Sequence, residues 1–222
     1  MIRLSDELRN ACPDIALLCL TFEADVVSGS KELWEQIDEI IIPELTAEYE
    51  TSTLSTHPQI QAARKAYKAA GKDPARYRVS SEMLMRRILQ GKGLYRINNF
   101  VDCNNLISMQ TGLSCGLYDL DQIAGDVTFR IGGTAEDYEA IGRGPFNIEG
   151  LPVFSDNRGA FGSPSSDSTR TMITPEAKRA LLVMISFSGE KVLNEYGSVA
   201  EGYLKTYLAA QNIEHTLVKG GA

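Results

Sequence analysis

Between Tyr95 and Ser108 the chain reads YRINNFVDCNNLIS, and five of the eight positions from Asn98 to Asn105 carry an amide or a carboxylate. Phe100, Val101, Cys103, Leu106 and Ile107 lie among them, so these polar groups must enter or border an apolar interior. An amide taken out of water without a hydrogen-bond partner costs roughly 2–7 kcal/mol. Such a run therefore does one of two things. It ties a backbone junction together, or it lines a polar pocket.

The rest of the chain alternates helices and strands without a regular strand–helix repeat, which points to an α+β fold of layered mixed sheets with flanking helices. Residues 15–27 (IALLCLTFEADVV) have the β-branched, apolar character of an early strand. Ser30 caps a helix whose Leu33, Trp34, Ile37, Ile40 and Ile41 recur at helical spacing. Pro43 is expected to kink or break that helix before it continues to about Glu50. A second helix is predicted from Ser55 to Ala70 with Pro58 in its first turn, and a third from Ser80 to Leu89. From Leu94 onward the pattern reads as short strands and turns. Residues 126–131 and 180–187 form strands, and residues 141–171 form loops joining short strands. A helix follows over 191–211, then a last strand over 214–218. No linker interrupts the chain. One unit over 1–222 is expected, mainly helical in 1–93 and sheet-rich in 94–222 with a C-terminal helix.

Composition excludes several classes. No apolar run reaches the roughly 18 residues that cross a bilayer, and the opening MIRLSDELRN lacks an apolar signal core. Cys12, Cys19, Cys103 and Cys115 have no CxxC or finger spacing and read as reduced thiols. The expected setting is the cytoplasm, away from membranes. His57 and His215, the two histidines, make no HxxxH or HExxH motif, so no metal site is expected. No cofactor motif is present either. The glycine-rich run 159–171 lacks the lysine of a phosphate loop, yet its hydroxyls, with Asp167 and Arg170, suit either a ligand loop or a self-bonded turn.

Charge is uneven. Net charge is −7, but residues 64–96 hold ten basic groups against Asp73 and Glu82. That segment is either a solvated helical face or a face for a polyanion.

Three stretches resemble the B3/B4 domain of the bacterial phenylalanyl-tRNA synthetase β subunit: Arg87-Ile-Leu, the run Ile97–Asn105, and Tyr118-Asp119 with residues 126–130. In the synthetase the asparagine run reads INNVVDVTN and is followed by HAFD. Residues 173–187 are similar to the segment closing that domain. Residues 67–78 and 80–84 look like free-standing B3/B4 proteins. The resemblance implies an α+β fold and a task at aminoacyl-tRNA, with no DNA partner. In the synthetase such a domain hydrolyses the ester joining a wrong amino acid to tRNA.

With the resemblance and the polar loop taken together, the candidate pocket draws on Asn98, Asn99, Asp102, Asn104, Asn105, Ser108, Gly116, Asp119, Asp167, Ser168, Arg170 and Thr171. Asn98, Asn99 and Asp102 read as junction ties, whereas Asn104, Asn105, Asp167 and Arg170 read as pocket lining. RNA contacts are expected from Arg64, Lys65, Lys68, Lys72, Arg76, Arg78, Arg86 and Arg87. Three polar positions depart from the synthetase. Gly116 stands where it has the HAFD histidine, Val183 where it has a pocket glutamate, and Asn104 where it has a threonine. Three functions remain open: a trans-editing deacylase of mischarged tRNA, a non-catalytic tRNA-binding module, and a protein binding a free amino acid. No catalytic residue is assigned.

Overall fold

A computed structural model describes residues 1–221. In chain order the elements are β1 (Ile2–Leu4), α1 (Asp6–Ala11), β2 (Ala16–Glu23), α2 (Lys31–Gln36), α3 (Ile42–Glu48), α4 (Pro58–Ala69), α5 (Ser80–Leu89), α6 (Asn99–Thr111), β3 (Ser114–Asp119), β4 (Val127–Ile131), β5 (Asp137–Ala140), β6 (Gly144–Asn147), β7 (Pro152–Asp156), β8 (Gly159–Gly162), β9 (Arg179–Ser186), α7 (Lys191–Leu208) and β10 (Gln211–Lys219).

Two four-stranded sheets carry the fold, in the orders β10-β2-β9-β3 and β1-β4-β7-β8, beside a β5–β6 hairpin. The first is antiparallel throughout; the second is mixed, because β1 runs parallel to β4. Residues 1–93 thus supply a strand to each sheet, β1 and β2, as well as helices.

Alternation along β2 and β9 sets the layering. Leu18, Leu20, Phe22, Leu182 and Met184 pack against α2, α5, α6 and α7. Leu17, Cys19, Leu181, Val183 and Ile185 point the other way, toward Phe129, Phe154 and Phe161 of the second sheet. The result is helices, sheet, sheet. A smaller core joins Ala63 and Tyr67 of α4 to Tyr138, Ile148 and Val153.

Two expectations change, and a third takes a specific form. The asparagine run is a helix, α6, rather than part of a turn-rich stretch. Asn98 caps it by accepting from the Val101 N–H at 2.9 Å, and Gly112 ends it at φ 70°. Its apolar residues Phe100, Cys103, Leu106 and Ile107 fall on the core side at helical spacing. Pro43 follows an irregular turn, within the expected kink or break, and the helix continues to Glu48. A π turn over Ile37–Ile41 joins α2 to α3, with the Ile42 N–H reaching back to Ile37, which accommodates the missing proline donor. The early strand ends at Glu23, and residues 24–27 leave the sheet. No helix among the described residues is long and apolar enough to cross a membrane.

Candidate functional site

The sidedness of β3 decides where a site can form. Cys115 and Leu117 face the helices, whereas Gly116 and Tyr118 face the second sheet. Beneath Cys115 and Leu117, a cavity of about 560 Å³ opens between α5, α6, the 165–167 loop and the turn at 141–143. Its interior carries Val101, Asn104, Asn105 and Ser108 from α6, Ser80, Met83, Leu84 and Arg87 from α5, and Ser165, Ser166 and Asp167 from the loop.

Three side-chain atoms of this hollow are buried without a partner: Asn104 Oδ1, Ser108 Oγ and Arg87 Nε. Asn104 Nδ2 donates to the Cys115 carbonyl at 3.3 Å, which fixes the amide's orientation and leaves Oδ1 buried with no partner. Ser108 is 1% exposed, and its Oγ is also unpartnered. Asp167 takes both of its hydrogen bonds on Oδ1, from Tyr118 Oη at 2.9 Å and from the Ser163 N–H at 3.2 Å. Burial pushes the Asp167 carboxyl up to about 7. Asn104 Oδ1 and the Asp167 carboxyl accept, Ser108 Oγ can donate or accept, and Arg87 Nε donates, so the chamber suits a ligand that carries donors and acceptors together.

The loop bearing Asp167 is held from several sides. Ser163 Oγ accepts from the Ser165 and Ser166 N–H groups and donates to the Ser166 carbonyl. Tyr67 Oη lies 3.0 Å from Ser165 Oγ, Tyr138 Oη donates to the Ser166 carbonyl, and the Ser80 N–H donates to the Pro164 carbonyl. Elements far apart in sequence therefore place Asp167 before any ligand arrives.

The other sequence candidates sit elsewhere. Asn98 caps α6. Asn99 joins the end of the early strand segment, accepting from the Val27 N–H and donating to the Asp25 carbonyl, both at 2.9 Å. Asp102 is fully buried and accepts from Trp34 Nε1 at 2.8 Å and the Ile97 N–H at 3.0 Å. Asp119 starts the short turn at 120–122, accepting from the Asp121 N–H. Ser168 accepts from the Arg170 N–H, and Arg170 forks onto Asp156 at 2.9 and 3.0 Å. Thr171 is buried and does not line the cavity.

Gly116 pairs with Val183 across β3 and β9, in the core between the sheets. A Cβ on Gly116 would lie 2.2 Å from Tyr118 Oη, and one on Gly162 would lie 2.3 Å from it. Both glycines thus make room for the phenol that reaches Asp167. The two positions where the synthetase carries its histidine and glutamate are closed around Tyr118 in this chain.

The basic segment divides in the same way. Glu82 is fully buried and gathers Arg64 at 2.9 Å, Arg86 at 2.8 Å and Arg78 at 3.7 Å. Lys65, Lys68 and Arg76 are exposed, and Lys72 lies 5.5 Å from the Tyr77 ring. Arg87 lines the cavity. Sequence reasoning missed Tyr95, Ile97, Ile141, Arg143 and Met172, which rim the mouth. Their signal is exposure, which a sequence does not display.

Thiol chemistry has no footing here. Cys115 lines the cavity, but burial pushes its thiol up to about 12, and no histidine reaches the chamber. His57 caps α4, and His215 lies 3.0 Å from Glu201. Among the described residues no three His, Cys, Asp or Glu side chains gather in a way that could hold a metal ion. A wider groove of about 810 Å³ lies at the far end of the first sheet, but its Asp25 and Lys178 are exposed and pair with each other.

A profile of the B3/4 domain matches residues 62–201. Among solved structures, an N-terminal fragment of the phenylalanyl-tRNA synthetase β subunit from Pyrococcus horikoshii is similar, at 11% identity and a TM-score of 0.46 over 98% of this chain. This chain spans 50% of that fragment's length. No curated protein sequence matches. With a profile match that takes in α5, α6 and all the strands from β3 to β9, the chain belongs to the B3/4 domain family.

Proposed function

We propose that this protein, with residues 1–222 acting as one unit, binds the aminoacylated end of a tRNA in the α5–α6 cavity and hydrolyses its ester in trans. The observation that carries this reading is the meeting of α6 and the 163–168 loop. Asn104, Asn105 and Ser108 share one hollow with Asp167, although some sixty residues separate them. A charged tRNA end supplies both kinds of partner: an amino group for the open oxygens of α6, and ester and phosphate oxygens for the arginines.

In this reading Asn104 Oδ1 and Ser108 Oγ hold the amino group, and Asp167 faces the attacking water. A carboxyl with a pKa about 7 accepts a proton from water near neutral pH. Water then adds to the ester carbonyl, the Asn105 amide donates to the developing oxyanion, and the ribose oxygen leaves with the proton. Neither the Gly116 nor the Val183 position takes part.

The test is the ester half-life of a panel of mischarged tRNAs with and without the protein. Shortened half-lives with at least one amino acid, lost in Asp167→Asn, are expected. The added rate rises with pH to a plateau above about 7, because the base works deprotonated. Unchanged half-lives across the panel refute hydrolysis. A second reading, binding without turnover, is favoured by the closure of the Gly116–Val183 position and by the ties on Asp167 Oδ1. It predicts retention of a hydrolysis-resistant aminoacyl-adenosine amide alongside unchanged half-lives.

A further inference from the structure

The cavity mouth differs from the rest of the surface in two respects. Among the described residues seven large apolar side chains are exposed, and four of them ring this opening: Tyr95 at 67%, Ile97 at 58%, Ile141 and Met172. Most arginines of the basic segment other than Arg87 are ion-paired, the exception among the described residues being Arg76, which lies 5.4 Å from the Tyr77 ring. Arg64, Arg78, Arg86 and Arg96 all have a carboxylate within 4 Å. Arg87 and Arg143 form no ion pair with any described residue.

Both unpaired arginines are braced rather than loose. The Arg87 guanidinium lies 4.2 Å from the centre of the Tyr95 ring, and its Nε is buried without a partner. Arg143 reaches across the mouth from the β5–β6 turn, its Nη2 3.2 Å from Met83 Sδ, and lies 5.6 Å from the Phe146 ring. An aromatic face backed by a guanidinium, with a second cation opposite, matches a nucleotide: the base stacks and the phosphate pairs.

We infer that Tyr95, Arg87 and Arg143 form a clamp for the terminal nucleotides of a single-stranded RNA end, which places that strand at the cavity mouth instead of along the α4 face. The assignment rests on the proposed function for its orientation and extends it by naming the residues that meet RNA. Arg64, Arg78 and Arg86 are excluded as the main contacts because Glu82 already holds them. Tyr95 supplies stacking that tolerates any base, and Arg143 supplies a phosphate contact that salt weakens.

The probe is a fluorescent single-stranded RNA tetranucleotide, ACCA, read by anisotropy against the full chain, with circular dichroism confirming that each variant folds. Tyr95→Ala and Arg143→Gln are each expected to weaken binding about tenfold. Tyr95→Phe keeps the affinity, because it keeps the ring. Arg143→Gln flattens the dependence of log affinity on log salt by about 0.7 for one phosphate. The double variant Lys68→Gln/Arg76→Gln on the other face changes affinity less than twofold. No binding by the unaltered chain, equal binding by Tyr95→Ala and Arg143→Gln, or a larger loss in the double variant overturns the clamp. Binding of the aminoacyl-adenosine amide is read separately: its failure removes the amino-acid reading of the cavity and leaves the tetranucleotide result standing.

Discussion

Helix α6 has two polar stretches built from the same residue types, and they meet opposite fates. At its start, the side-chain oxygens of Asn98, Asn99 and Asp102 are engaged, each accepting from a backbone N–H, and Asp102 also from the indole of Trp34. One turn later Asn104 and Ser108 keep buried oxygens with no partner, facing the cavity. Satisfied buried groups specify a fold, and unsatisfied ones hold a recognition capacity that the fold does not use. The first stretch is scaffold. The second is site.

The same division runs through the basic segment, and the sharpest test of it falls on Glu82. Truncating Glu82 to alanine strands the three guanidinium groups it gathers, Arg64, Arg78 and Arg86, and is expected to cost about 3–5 kcal/mol in urea unfolding. Removing Arg87, which no carboxylate holds, costs far less stability. Equal losses would erase the distinction between hub and mouth.

Within α6 the contrast is expected to be smaller. Asp102→Ala leaves the buried Trp34 indole N–H without its acceptor, at about 1–3 kcal/mol, and also removes the bond from the Ile97 N–H. Asn104→Ala removes an oxygen that bonds to nothing, together with the 3.3 Å bond from its Nδ2 to the Cys115 carbonyl, and is expected to cost about 1 kcal/mol. Trp34 is the only tryptophan, so its fluorescence reports the Asp102 change directly.

Next in size is a pH effect at Asp167. The native carboxyl, near 7, binds its proton more tightly than the unfolded chain does, near 3.9. Between those values the native state holds more protons, so this group's contribution falls as pH rises from about 4 to 7. Asp167→Asn removes the dependence. Its Tm relative to the unaltered chain is expected to climb between pH 5 and pH 8, and a flat difference would contradict the buried carboxyl.

Much of the scaffold was legible because periodicity and caps are local. Pro58, Ser80 and the alternation in residues 126–131 mark their elements directly. α6 was hidden by its own amides, which resemble turn formers until the spacing of Phe100, Cys103, Leu106 and Ile107 is weighed beside them. The split between ties and lining within the run was partly readable, because Asp102 and Asn99 sit on the core side of a helix. Arg170 was not: its fork onto Asp156 depends on two strands and a turn meeting in space. The fate of Gly116 was equally hidden, since only the register of β3 against β9 puts it under Tyr118. Tyr95 and Arg143 carry no motif, and their importance comes from what fails to cover them.

The most direct test of the two-fate helix is the affinity of a hydrolysis-resistant 3′-aminoacylamido adenosine, measured by titration calorimetry on paired variants of α6. Asn104→Ala is predicted to weaken it about tenfold, the loss of one hydrogen bond to a charged donor. Asn98→Ser, which keeps the cap, is predicted to leave it unchanged. Equal affinities for Asn104→Ala and the unaltered chain, or an equal loss in Asn98→Ser, would show that the open oxygens of α6 do not form the site.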